Sequence, residues 1–110
     1  MTVLSEQDFR VKSVQALEDA RRALLPLADS GDGFEVELQN GVLNLVFEEP
    51  SETKFVVSPN APVRQIWVSA MARSYKLGWS PDLSAFALDG ETLPRLLERL
   101  ARQFLEGTGD

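Results

Sequence analysis

Two segments of the chain repeat apolar residues every three or four positions, which predicts an amphipathic helix near each end. In the first segment Ser5 is the expected N-cap, and Glu6 and Asp8 follow in the first turn, where the helix dipole favours negative charge. Pro26 cannot donate to the carbonyl four residues earlier, so this helix should end or kink close to Leu25. Its apolar stripe consists of Phe9, Ala16, Leu17, Ala20, Leu24 and Leu27.

The second helical segment lies near the C-terminus. Thr92 is its expected cap, and Pro94 falls in the first turn, where proline is tolerated. Gly107 is the expected end, since glycine readily adopts the conformation that terminates a helix. The apolar stripe consists of Leu93, Leu96, Leu97, Leu100 and Phe104.

A β-hairpin is predicted by strict alternation of apolar and polar residues over 34–39 and by a largely apolar returning strand over 42–47. The intervening Asn40-Gly41 is a strong signal for a two-residue turn in which both positions have positive φ. Such a turn sets the register, so that Glu35 and Glu37 lie on the outer face. The apolar face then consists of the pairs Leu38–Leu43, Val36–Leu45 and Phe34–Phe47.

The rest of the central region predicts further short strands. They cover 54–58, 64–69, 74–77 and 84–88, and they are separated by turns around Pro50, at 78–82 and at 89–90, and by a proline-rich corner at 59–62. Five or six consecutive strands joined by tight turns form an antiparallel meander. The fold class is therefore α+β: a two-layer sandwich, αβββββ(β)α, with both helices on one face of the sheet. We expect a single domain over residues 1–110, with an ordered core over 5–106.

Trp67 lies on the sheet face that the helices leave open. If Ile66 and Val68 point into the core, the alternation places Trp67 and Gln65 on the opposite side. Tryptophan is a favoured anchor of protein interfaces. The alternative is a half-buried tryptophan that packs on the sheet surface and has no further role.

Composition narrows the possible functions. The chain has 110 residues, a net charge of −6, no cysteine and no histidine. An acidic domain repels phosphate backbones, so no nucleic-acid partner is expected; a basic protein surface or a cation fits better. No apolar run is long enough to cross a bilayer, and the N-terminus does not resemble a signal peptide, so we expect a cytoplasmic protein without a membrane partner. Without histidine or cysteine, any metal must be held by oxygen, and the usual general base is missing.

Three motifs resemble the frataxin family in its bacterial CyaY form. They are Asn40-Gly41-Val42-Leu43, Pro62-x-Arg64-Gln65-Ile66-Trp67-Val68-Ser69 and Asp89-Gly90-x-x-Leu93-x-x-Leu96-Leu97. The resemblance covers residues 5–106 and includes the order of the elements. It implies a protein of iron–sulfur cluster assembly that docks on the cysteine desulfurase and scaffold complex and binds iron (Fe²⁺ or Fe³⁺) weakly through carboxylates.

The same resemblance implies two groups of site residues. The partner-binding group is Arg64, Gln65 and Trp67, together with Arg73 in the following loop. The metal-binding group is an acidic ridge on the first helix and first strand, made of Glu18, Asp19, Asp29, Asp32, Glu35 and Glu37. Arg21 and Arg22 lie at helical spacing from Glu18 and Asp19, so they can pair with Glu18 or Asp19 and neutralise them.

Several functions remain open from the residues. Exposed carboxylates hold a hydrated cation only weakly; the alternative is an acidic edge that serves solubility alone. We expect a monomeric, non-enzymatic docking module, with at most the slow ferroxidase chemistry described for some frataxins. A second hypothesis is a direct iron donor. A third is a secretion-type chaperone or another acidic interaction module, which predicts a stable homodimer and no dependence on iron.

Overall fold

The structure is a computed structural model, and it describes residues 4–29, 34–49 and 51–106. Within these ranges the chain forms two α-helices, seven strands and one 3-10 helix. They are α1 (Glu6–Ala28), β1 (Glu35–Gln39), β2 (Val42–Phe47), β3 (Thr53–Asn60), the 3-10 helix (Ala61–Val63), β4 (Gln65–Ala70), β5 (Arg73–Ser80), β6 (Ala85–Leu88), β7 (Glu91–Thr92) and α2 (Leu93–Glu106). Neither helix combines the length and the apolar composition needed to cross a membrane within these ranges.

The strands form one antiparallel sheet in chain order, β1 to β7, and both helices pack on the same core. This confirms the predicted α+β sandwich, with one more strand than the largest number expected. Alternation assigns the faces: Ile66 and Val68 are buried, whereas Trp67 between them is only half-buried on the other side. The face that bears Trp67 is called the open face below.

The first hairpin confirms the predicted register. Leu38 lies opposite Leu43 and Val36 opposite Leu45, and the Phe34 ring stacks on Phe47 with centroids 4.7 Å apart. The hydrophobic residues of β2 and β3 that point toward the helices are all buried, because this face is covered by α1 and α2.

Several predicted boundaries were wrong, mostly because short strands extend through pairing with their neighbours. Glu91 and Thr92 form β7, a strand that was not predicted, and β3 extends to Asn60, so that Pro59 belongs to the strand. β5 continues to Ser80, which moves the predicted turn at 78–82 to 81–84. Gly107, Pro50 and most of the predicted loop at 29–33 lie outside the described residues.

Pro26 does not end α1, which continues to Ala28. Pro26 and Arg22 are both exposed, so solvent can hydrogen-bond to the Arg22 carbonyl that proline leaves without a donor. Beyond the proline, the Asp29 amide donates to the Leu25 carbonyl at 2.9 Å and closes the last turn. At the other end, Ser5 is the N-cap, as predicted, and accepts a hydrogen bond from the Asp8 amide.

A strained turn joins β4 to β5. Ala70 pairs with Arg73, and Met71 and Ala72 between them have φ of 51° and 64°. The same positive φ at both positions occurs at Asn40-Gly41, where the residues suit it. L-residues other than Asn and Asp pay about 1 kcal/mol or more for this conformation.

We therefore expect Ala72→Gly to raise the free energy of unfolding by about 1 kcal/mol, because it removes this strain. The measurement is urea denaturation followed by circular dichroism. Gly41→Ala is the matched control in the opposite direction and should lower the free energy of unfolding by a similar amount. A Cβ at Gly41 would meet nothing within 4 Å, so the change tests backbone strain alone. Destabilisation by Ala72→Gly would contradict the assignment of strain to this turn.

Candidate functional site

Trp67 lies on the open face of β4, the central strand of the sheet. On β4 it lies opposite Ser58 of β3 and Lys76 of β5. The indole Nε1 donates to Oε1 of Gln65 at 2.9 Å, and Nζ of Lys76 lies 4.8 Å from the ring centroid. The ring is thus held by a neighbour on its own strand and by a cation on the next, while remaining accessible from the solvent side. A fixed, half-exposed tryptophan is well suited to contact another protein.

Gln65 and Trp67 are the two predicted partner-binding residues that the structure brings together. Both alternate outward along β4, and the hydrogen bond between their side chains orients the indole. Gln65 also lies opposite Gly78, which has no side chain to cover it. This part of the predicted site follows from the alternation of β4.

Arg64 does not belong to this cluster. It precedes β4 in a left-handed conformation, with φ of 55° and ψ of 45°, and caps the 3-10 helix. Its guanidinium donates to the Leu4 carbonyl at 3.1 Å and also to the Ala61 carbonyl. The side chain therefore ties the segment before α1 to the corner before β4. The prediction that Arg64 begins the strand was wrong.

Arg73 was predicted in a loop, but it is the first residue of β5. It is exposed and lies opposite Ala70, which is buried toward the helices. Cross-strand partners share a face, so Arg73 and Trp67 lie on opposite faces of the sheet. Two residues that the sequence analysis did not single out lie on the open face instead. Lys54 of β3 and Lys76 of β5 both alternate outward, and that alternation was the signal that could have found them.

The predicted acidic ridge is divided in the structure. Glu18 forms ion pairs with Arg21 at 2.5 Å and with Arg22 at 3.1 Å, which confirms the expected pairing for this carboxylate. The hydrogen bond from Arg21 is the largest cause that holds the pKa of Glu18 below its usual value. Asp19 accepts instead from Gln15 at 2.9 Å.

Asp19 also lines an apolar groove on a different side of the molecule from β1. This groove has a volume of about 310 Å³ and includes Trp79 of β5 and Phe86 of β6 in its walls. β1 is at the opposite edge of the sheet. Asp19 is therefore separated from the carboxylates of that edge.

Glu35 and Glu37 lie side by side on the exposed outer side of β1, and Asp29 is the exposed C-cap of α1. Asp32 lies outside the described residues. Within the described residues no three carboxylates come close enough to hold one metal ion. The donors present are exposed carboxylate oxygens, which suit a weakly held, hydrated cation.

The fold and the open face define a class of protein: a small α+β sandwich that presents a fixed tryptophan on an uncovered sheet. The profile of the family described as Frataxin-like domain matches residues 2–107, and the chain belongs to the frataxin family. This confirms the resemblance seen in the three motifs.

Named relatives agree with the family. The chain is 33% identical over 76 residues to "Iron-sulfur cluster assembly protein CyaY" of Cupriavidus metallidurans, which covers 68% of this chain and 67% of that protein. The protein of the same name from Cupriavidus necator is 30% identical over the same shares. Among solved structures, the frataxin from Psychromonas ingrahamii superposes with a TM-score of 0.66 at 14% identity, covering 97% of this chain and 94% of that one. This structural likeness concerns the fold.

Proposed function

We propose that this protein acts in cytoplasmic iron–sulfur cluster assembly as a docking protein, and that it binds its scaffold partner through the open face around Trp67. The observation that carries the proposal is the tryptophan itself, held by Gln65 on a sheet face without helices. Membership of the frataxin family, with relatives named for iron–sulfur cluster assembly, supplies the pathway.

A second contact is assigned to the β1 edge. Glu35, Glu37 and Asp29 are exposed there, and none of them forms an ion pair with another described residue. Uncompensated carboxylates attract a basic surface and accelerate its association. The cysteine desulfurase is the partner that we propose for this edge.

Iron is proposed as a weakly bound cargo of the same edge. Exposed carboxylates bind a hydrated cation through one or two oxygens each, without the enclosed cage that tight sites use. Redox chemistry on such a site is proposed to be slow at most, so the role is binding and regulation.

The experiment that tests docking is a pair of binding isotherms, one with the scaffold protein and one with the cysteine desulfurase of the same organism. The expected result is saturable binding of both partners by the monomeric chain. Absence of binding to either one would overturn the proposal, and a stable homodimer that captures unfolded clients would support the chaperone alternative instead.

Replacing Glu35 and Glu37 with glutamine should abolish the weak binding of iron, because it removes both neighbouring carboxylates of β1. The measurement is an anaerobic Fe²⁺ titration followed by two-dimensional NMR, in which the amides of these residues and of Asp29 should broaden in the wild type only. Glu98→Gln, which removes a carboxylate paired with Arg102 on α2, is the control and should leave the broadening unchanged.

The same titration tests whether the ion pairs of Arg21 and Arg22 prevent Glu18 from binding iron. If Arg21 and Arg22 neutralise Glu18, the double variant Arg21→Gln, Arg22→Gln should extend the broadening to Glu18. Unchanged spectra of the wild type at millimolar iron would contradict iron binding while leaving the docking proposal intact.

A further inference from the structure

The lysines of this acidic chain are concentrated on the open face. The sequence contains three, Lys12, Lys54 and Lys76, and the last two alternate outward on β3 and β5. Neither forms an ion pair with any described residue. The helices differ, since five of their arginines are paired with glutamates: Arg10, Arg21, Arg22, Arg99 and Arg102. The open face thus carries two lysines without an ion-pair partner among the described residues, although the net charge of the chain is −6.

Lys76 stands directly over the ring of Trp67. Its Nζ lies 4.8 Å from the ring centroid, within the range of a cation–π contact. Lys76 is itself exposed, and such contacts are weak at exposed sites, so the ammonium leaves the ring readily for a carboxylate. A partner that covers Trp67 must displace this ammonium or pair with it.

Lys54 extends the positive charge along the face. It lies four residues before Ser58, the cross-strand neighbour of Trp67, which places it about 14 Å from the tryptophan position by strand geometry. The carboxylates of the same face, Glu35 and Glu37, are on β1, three strands from β4. Charge on the open face is therefore positive at Lys76 and Lys54 and negative at the β1 edge, where Glu35 lies two strands from Lys54 across Val46.

We propose that the open face selects a carboxylate-bearing surface of the scaffold: Lys76 pairs with a carboxylate beside the contact made by Trp67, and Lys54 pairs with a second one. The inference rests on the proposed function, since it names the chemistry of the partner at that site. The opposite polarity of the β1 edge then orients the complex, because an acidic partner fits the middle of the sheet and a basic partner fits its edge.

The test is the affinity for the scaffold of three lysine variants at low and high salt. Lys76→Met keeps the apolar stem against Trp67 and removes the charge, and it should weaken binding about fivefold to tenfold at low salt. The loss should shrink at high salt, where exposed charges are screened. Lys76→Arg should bind like the wild type. Lys12→Met is the matched control. Nζ of Lys12 on α1 lies 5.0 Å from the ring centroid of Trp79 on β5, so it makes the same kind of contact away from the open face.

The outcomes separate the two proposals. A wild-type chain that does not bind the scaffold would overturn both. Binding that is lost in Trp67→Ala but unchanged or strengthened in Lys76→Met would overturn the charge selection alone. Acylation of lysines provides an independent readout: Lys54 and Lys76 should be protected in the complex while Lys12 still reacts, and equal reactivity of all three would overturn the inference.

Discussion

Trp67→Ala is expected to weaken binding to the scaffold about thirtyfold or more while the fold is retained. A tryptophan at the centre of an interface typically contributes ~2 kcal/mol or more when truncated. Here the ring is already oriented by its hydrogen bond to Gln65, so little side-chain conformational entropy is lost on binding. The measurement is the dissociation constant by calorimetry, with circular dichroism to verify folding.

Two further variants make this result specific. Trp67→Phe keeps an aromatic ring under Lys76 but loses the N–H that Gln65 accepts, so an intermediate affinity is expected. Leu83→Ala removes an exposed apolar side chain from the 81–84 turn, outside the open face, and should have no effect. Unchanged binding by Trp67→Ala would mean that the tryptophan only packs on the sheet surface.

Phe47→Ala is expected to lower the free energy of unfolding by ~3–5 kcal/mol, the range for truncating a buried phenylalanine. Phe47 is 1% exposed and its ring centroid lies within 4.8 Å of those of Phe34, Phe55 and Phe104. Phe47 therefore joins the rings of Phe34 and Phe55 on the sheet side to Phe104 of α2. Since small domains are stable by only about 5–15 kcal/mol, this loss is a large fraction of the total free energy of unfolding.

Val46→Ala is the matched control for this change. Val46 is the preceding residue of β2, and it points to the open face between Glu35 of β1 and Lys54 of β3. We expect a loss of less than about 1 kcal/mol, because only a half-buried side chain is shortened. Urea denaturation of the two variants tests whether the core lies on one side of the sheet only. Equal losses of unfolding free energy in the two variants would contradict the assignment of Val46 to a face that the helices do not cover.

The arrangement of the open face was largely predictable because alternation along a strand is a local property. Asn40-Gly41 determined the register of the first hairpin, and the apolar residues on either side of Trp67 determined which way it points. The pairing of Arg21 and Arg22 with Glu18 was predictable for the same reason, since residues three and four apart on a helix are neighbours.

The boundaries of the elements were less predictable because they depend on pairing with distant residues. β5 reaches Ser80 because β6 pairs with it through Ala85, and α1 passes Pro26 because residues on both sides of the proline, Leu24 and Ala28, are buried. The ladder and the core outweigh local preferences for a turn or a helix end in both cases.

The sequence by itself determined that this chain forms an α+β sandwich with Trp67 and Gln65 outward, since both follow from spacing between near neighbours. Only the tertiary structure decided that Arg64 is bonded to Leu4, sixty residues away, and that Asp19 lies in a groove apart from the β1 edge. It also decided that Lys76 covers Trp67. These outcomes depend on how helices and strands pack across the molecule, and the spacing of residues along the chain carries little information about contacts of that range.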